Sequence, residues 1–127
     1  MNKCVLDASA ILALLNNETG AEMVQELLPF AIVSAVNYAE VVTRLSLLGM
    51  PENEIHQALN ILGLTIIPLD EDLSFRTGYL AIVTKQYGLS LGDRACLALA
   101  FKTGYSAVTS DSAWQGLKIE VDIKLIR

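Results

Sequence analysis

Asp7, Glu40, Asp93 and Asp111 are the residues of this chain best placed to do chemistry. Asp7 ends the apolar run Cys4-Val5-Leu6, and Asp111 follows Ala107-Val108-Thr109-Ser110. Glu40 and Asp93 fall in the early turns of two otherwise apolar helical segments. Carboxylates crowded together without cationic partners repel one another unless a divalent ion sits among them. Gathering these acids at strand ends and helix starts therefore predicts a Mg²⁺ or Mn²⁺ centre of the kind that acts on phosphate esters.

Each acid also has a purely structural reading. Asp7 can cap a helix starting at Ala8. Ser90-Leu91-Gly92-Asp93 has capping-box spacing. Asp111 can be an ordinary turn residue. Glu40 is harder to explain this way, because Val36, Ala39, Val41 and Val42 surround it in sequence and an unpaired buried carboxylate costs several kcal/mol. Its local remedy is Arg44, one turn later, at the spacing of an i, i+4 ion pair.

The elements that must position these acids alternate. Strands are expected at Lys3–Leu6, Ala31–Val33, Thr65–Ile67 and Ala107–Thr109, with a last, half-wet edge strand over Ile119–Ile126. Between them, helices are expected over Ala8–Asn16, Gly20–Leu28, Ala35–Leu48, Glu52–Leu62, Asp70 to about Tyr87, and Ser90–Lys102. Pro29, Gly49, Gly63, Gly88 and Gly104 punctuate them. Such alternation predicts a mainly parallel sheet with helices on both faces. In sheets of this kind ligands bind outside the carboxyl ends of the strands, where all four acids fall.

Length and composition suit one compact domain over residues 1–127: 53% of the residues are hydrophobic and 18% charged. The longest purely apolar run, Ala95 to Phe101, is far short of the roughly 20 residues a membrane span needs. Lys3 is followed by only three apolar residues before Asp7, which is no signal peptide, so a cytoplasmic location is expected. Cys4 and Cys96 read as small buried hydrophobes, without the spacing of a zinc site. The net charge of −5 argues against a broad basic face for nucleic acid, yet leaves room for a nuclease whose metal neutralises an acidic pocket. His56, the only histidine, lies far in sequence from every acid and reads as a surface residue. Trp114 reads as a packing anchor for the last strand.

Four motifs carry a resemblance. Val5-Leu6-Asp7-Ala8-Ser9-Ala10 comes first, then Val36-Asn37-Tyr38-Ala39-Glu40-Val41. Next is the long run from Leu89 through Gly92-Asp93-Arg94 to Ala100, and last Thr109-Ser110-Asp111 with Trp114 close behind. In order and spacing the chain resembles the PIN-domain ribonucleases, and among them the VapC toxins of bacterial toxin–antitoxin pairs. The resemblance implies a three-layer α/β/α domain with a short parallel sheet and an acidic site made by Asp7, Glu40, Asp93 and Asp111. It implies hydrolysis of RNA to 5′-phosphate and 3′-hydroxyl ends, and a VapB-like antitoxin whose tail reaches the acidic pocket. A homodimer through the apolar helices from Met23 to Leu62 is expected with it. Ser9 and Ser110 are candidates for orienting a carboxylate or a water, with helix capping as the alternative. Arg94 is a candidate for a phosphate contact or for steadying the acids, with plain packing as the alternative. The chain departs from the family pattern at Ser112, where relatives often carry a basic residue.

Two other functions fit parts of the pattern. A housekeeping ribonuclease would share the chemistry without a partner. A Mg²⁺-binding receiver-like signalling domain would need adjacent acids early and a late lysine after a strand; here Asp7 has no acidic neighbour, and the strand at Ala107–Thr109 is followed by an acid.

Overall fold

The computed structural model describes residues 2–127. β1 (Cys4–Leu6) lies at the centre of a five-stranded sheet. β2 (Ala31–Ser34) and β4 (Ser106–Thr109) flank it, and β3 (Thr65–Ile67) and β5 (Ile123–Leu125) form the edges, in the order β3-β2-β1-β4-β5. All four pairings are parallel, so the expected mainly parallel sheet is wholly so.

Period-two alternation along β1 divides the core. Leu6 stands in register with Val33 of β2 and Val108 of β4, and all three are buried in one cluster. That cluster is completed by α1 (Ala8–Leu15), α2 (Ala21–Leu27), α3 (Ala35–Leu47) and α4 (Glu52–Leu62). Val5 points the other way, with Ala107, into a second cluster. There α5 (Glu71–Val83) supplies Leu73, α6 (Leu91–Thr103) supplies Cys96, Leu97, Leu99 and Ala100, and Trp114 closes the end. Helices on both faces of one sheet give the three-layer α/β/α fold expected from the sequence.

Two elements differ from expectation. The helix expected to reach Tyr87 stops at Val83, where buried Thr84 donates its hydroxyl to the Leu80 carbonyl at 2.6 Å, and a 3₁₀ turn covers Lys85–Tyr87. The last strand is confined to Ile123–Leu125, because β4 offers partners only from Ala107 to Thr109. Leu117, Ile119 and Val121 pack onto the second cluster outside the sheet. Trp114 is buried and serves as the anchor expected of it. Among the described residues, no helix is long and apolar enough to cross a membrane.

A parallel sheet puts every strand's carboxyl end on one edge. β1 passes into α1 through Asp7 alone, β2 passes directly into α3, and β4 leads into Ser110-Asp111. The first turn of α6 reaches the same edge, where the Asn37 side chain of α3 donates to the Gly92 carbonyl at 3.0 Å.

Candidate metal centre

Asp7 is the most constrained of the four acids. It caps α1, its Oδ1 accepting from the Ala10 N–H at 2.9 Å and from the Ser9 hydroxyl at 2.7 Å. Its Oδ2 accepts from the Thr109 hydroxyl at 2.5 Å. Only 5% of the residue is exposed. Burial pushes the carboxyl from 3.8 up to about 6, against the pull of these three hydrogen bonds, and the Asp93 charge adds to the rise. The bond that starts the helix also fixes the direction of the carboxylate, so capping leaves a site role open to Asp7.

Glu40 lies one helix away. Its Oε1 accepts from the Asn37 amide at 2.9 Å, and the same amide nitrogen also donates to the Gly92 carbonyl. Asn37 is 1% exposed and thus ties α3 to the start of α6 with Glu40 between them. The Glu40 carboxylate lies over Gly92 so closely that a β-carbon there would collide with Cδ and both carboxylate oxygens. Burial raises the Glu40 carboxyl; the Asn37 bond opposes the rise and the Asp93 charge favours it. The ion pair with Arg44 does not form.

Gly92 therefore provides a test that separates activity from folding. Gly92 is in the first turn of α6, where alanine gains only part of the roughly 1 kcal/mol it holds over glycine in a helix interior, so Gly92→Ala should melt close to the wild-type temperature. The new methyl group must push the Glu40 carboxylate aside, and activity should fall by roughly tenfold or more. Thermal melts and initial rates on one preparation check both outcomes.

Asp93 sits in the first turn of α6 and makes the capping box the spacing predicts: its Oδ2 accepts from the Ser90 N–H at 3.0 Å and its N–H donates to Ser90 Oγ at 3.1 Å. Its charge nevertheless reaches both Asp7 and Glu40. The fully buried Cys96 thiol is pushed well above its ordinary range, first by burial and then by the charges of Asp7, Asp93 and Glu40. These three charges thus all act on the same part of the core, from α3, the start of α6 and the end of β1. Asp111 stands apart. It is exposed, and its Oδ1 accepts from the Ala113 N–H at 3.0 Å in a 3₁₀ turn over Ser112–Gly116. Only its N–H joins the others, donating to Thr109 Oγ1 at 3.1 Å.

Among the described residues, no three His, Cys, Asp or Glu side chains converge tightly enough to hold an ion as they stand. Like charges facing one another without a cation stay apart, and each carboxylate takes the donors nearest to it. The donor set nevertheless suits a hard divalent cation. It is all oxygen, and Asp7 Oδ2 and Glu40 Oε1 each accept one hydrogen bond and keep a second lone pair for a metal, whereas Asp7 Oδ1 already accepts two. Among the described residues none of the four acids has a Lys or Arg partner. The buried Asn37 Oδ1 beside them also lacks a hydrogen-bond donor.

The remaining candidates separate. Ser9 orients Asp7 and in turn accepts from the Ser110 N–H at 3.0 Å, so Ser110 acts on the site through its backbone. Arg94 donates to the Thr77 carbonyl of α5 at 2.9 Å, which is the packing alternative, and bonds none of the acids. His56 is exposed on α4. Three positioning residues carried no role in the sequence reading: Asn37, Gly92 and Thr109. Each lies within a motif, but only the fold shows what it touches.

The family model for the PIN domain matches residues 4–119. The chain belongs to the PIN-domain family. Among solved structures, its fold is similar to a toxin–antitoxin complex from Klebsiella pneumoniae, at 18% identity over 98% of each chain and a TM-score of 0.74. It is similar to the DNA-bound VapBC of Salmonella typhimurium, at 16% identity over 100% of each chain and a TM-score of 0.79. A third likeness is to FitAcB from Neisseria gonorrhoeae, at 23% identity over 97% of each chain and a TM-score of 0.76. No curated protein sequence matches the chain. PIN domains are nucleases, and membership sets aside the receiver-like alternative.

Proposed function

We propose that this PIN domain is a Mg²⁺-dependent endoribonuclease, with Mn²⁺ able to substitute, acting as the toxin of a toxin–antitoxin pair. The observation that carries this reading is that Asp7, Glu40 and Asp93 come from three separate elements to one edge of the sheet, Glu40 lying over Gly92 beside Asp93, with no Lys or Arg partner among the described residues. Asp7 is the central ligand, and Asp93 and Glu40 bind directly or through water. Asp111 completes the site by turning from Ala113. Once bound, the cation polarises the scissile phosphate and lowers the pKa of the attacking water.

The chain's own residues supply the positioning. Ser9, Ala10 and Thr109 hold the Asp7 carboxylate in one orientation. Asn37 holds Glu40 against the backbone of α6. Burial of Asp7 and Asn37 keeps this arrangement from loosening into solvent. The 2′-hydroxyl is not needed as nucleophile, so preference for RNA comes from recognition of unpaired loops.

The similar structures are of toxin–antitoxin assemblies, which favours a VapB-like antitoxin as the partner in the cytoplasm. A homodimer fits the exposed apolar side chains. Met23, Leu48 and Ile61 lie on the helices expected to form it, and Phe75, Tyr79, Ile82 and Val83 add a stripe on α5.

The test is cleavage mapping on total cellular RNA with Mg²⁺ and with EDTA, for wild type and Asp7→Asn. Discrete cuts bearing 5′-phosphate ends, seen only with wild type and metal, are expected. Cuts that survive EDTA or Asp7→Asn would remove the metal mechanism. Induced expression then separates toxin from housekeeping enzyme: growth arrest rescued by the neighbouring antitoxin gene is expected, and unimpaired growth would favour the housekeeping role.

A further inference from the structure

We propose that Arg44 holds a backbone phosphate of the single-stranded substrate in the hollow beside Glu40, which rests on the nuclease reading above. The chain has nine Lys and Arg residues in a molecule of net charge −5. A polyanion approaching four unbalanced acids needs local positive charge near them, because the overall field opposes it.

Most of the nine are committed elsewhere. Arg76 and Lys102 pair with Asp72, and Arg127 pairs with Glu18. Arg94 is bound to the Thr77 carbonyl, and Lys3 lies over the Tyr105 ring. Among the described residues, Arg44, Lys85, Lys118 and Lys124 have neither an ion pair nor a side-chain hydrogen bond. Lys85 is in the 3₁₀ turn after α5. Lys118 borders the groove along α5 and α6. Lys124 lines a hollow with Asn2 and Cys4, where β1 begins, at the opposite edge of the sheet from the acids. Arg44 shares a hollow with Glu40.

That hollow, about 430 Å³, is lined by Val36, Ala39, Glu40, Thr43, Arg44 and Leu47. Arg44 stands at i+4 from Glu40, where an ion pair would ordinarily form. Asn37 holds Glu40 instead, and the guanidinium stays unpaired. Thr43 donates its hydroxyl hydrogen bond to the Ala39 carbonyl at 2.8 Å, so Arg44 is the charged donor in the hollow. Val36, Ala39 and Leu47 lie on the same face of α3 as Arg44 and make its apolar part, and Leu47 is 81% exposed. An arginine fork matched to phosphate beside an apolar wall suits one nucleotide, with the phosphate on Arg44 and the sugar and base against the wall. A strand whose scissile phosphate lies at Asp7 and Glu40 would carry a neighbouring phosphate into this hollow.

The test compares wild type, Arg44→Gln, Arg44→Lys and Lys85→Gln on a single-stranded RNA oligonucleotide with Mg²⁺ across a salt series. Arg44→Gln should raise KM by roughly tenfold, with kcat within about twofold. The slope of log(kcat/KM) against log[salt] should shrink by about 0.7, the value for one lost phosphate contact on a single strand. Arg44→Lys should recover most of the loss, while Lys85→Gln should match wild type. All variants should melt at the wild-type temperature.

A wild-type KM and salt slope in Arg44→Gln, beside a wild type that cleaves, would overturn this inference alone. So would a variant that weakens only antitoxin binding, since the hollow would then serve a protein partner. A correctly folded wild type that cleaves nothing would remove the nuclease reading and this inference together.

Discussion

Asp7→Asn is expected to lose roughly a thousandfold or more in RNA cleavage and, in EDTA at neutral pH, to melt several degrees above the wild type. Removing a central carboxylate accounts for the first effect. The second follows from burial. The Asp7 carboxyl is raised from 3.8 to about 6, and each unit is about 1.4 kcal/mol, so ionising it in the metal-free fold costs about 3 kcal/mol at pH 7. Asparagine removes that cost and keeps the acceptor that Ser9 and Ala10 need at Oδ1. Its amide would face Thr109, whose hydroxyl can rotate to accept instead of donate. Melting curves and initial rates on both proteins check the pair of effects. A variant that is inactive but also less stable would show that Asp7 serves the fold more than the site.

The same shift sets a pH dependence with a definite sign. Between pH 4 and 6 the folded metal-free protein holds a proton on Asp7 that the unfolded chain has released. Stability therefore falls as pH rises through that window, by up to about 3 kcal/mol from this group, and levels off above it. The raised carboxyl of Glu40 acts in the same direction. Added Mg²⁺ or Mn²⁺ should act oppositely, because a ligand must lose its proton to bind. Metal stabilisation should be small near pH 5 and grow through about pH 6. Denaturant titrations across this range, with EDTA and with metal, measure both slopes. Asp7→Asn should show a much flatter dependence and little response to metal.

The layout of the fold was legible in the sequence because its signals are local. Short β-branched runs, glycine stops and Ser or Asp caps mark nearly every boundary. The parallel sheet followed from alternation, and a parallel sheet brings strand ends to one edge. Less legible was anything decided by contacts between distant segments. The short β4 limits β5 to three residues, although Ile119–Ile126 alternates throughout. Thr84 ends α5 four residues before the glycine that reads as its stop. In the site, the types of the four acids pointed to a cation, but the residues that aim them did not announce themselves. Asn37 reads as one more helix residue until its amide is seen to bond both Glu40 and the Gly92 carbonyl. Gly92 reads as a weak point in a helix until the Glu40 carboxylate is found where its side chain would be. Thr109 reads as a strand residue, yet its hydroxyl ties Asp7 to the backbone of Asp111 across about a hundred residues. At Asp7 and Asp93 the capping bonds form as their sequence spacing suggests, and they leave the Asp93 charge acting on Asp7.

The most direct measurement is an anomalous difference map from crystals of the full chain soaked in Mn²⁺. A peak within coordination distance of an Asp7 oxygen is expected, with Asp93 and Glu40 turned toward it and Asp111 swung from Ala113. Mn²⁺ bound only elsewhere, with Asp7 keeping just its Ser9, Ala10 and Thr109 partners, would contradict the metal centre.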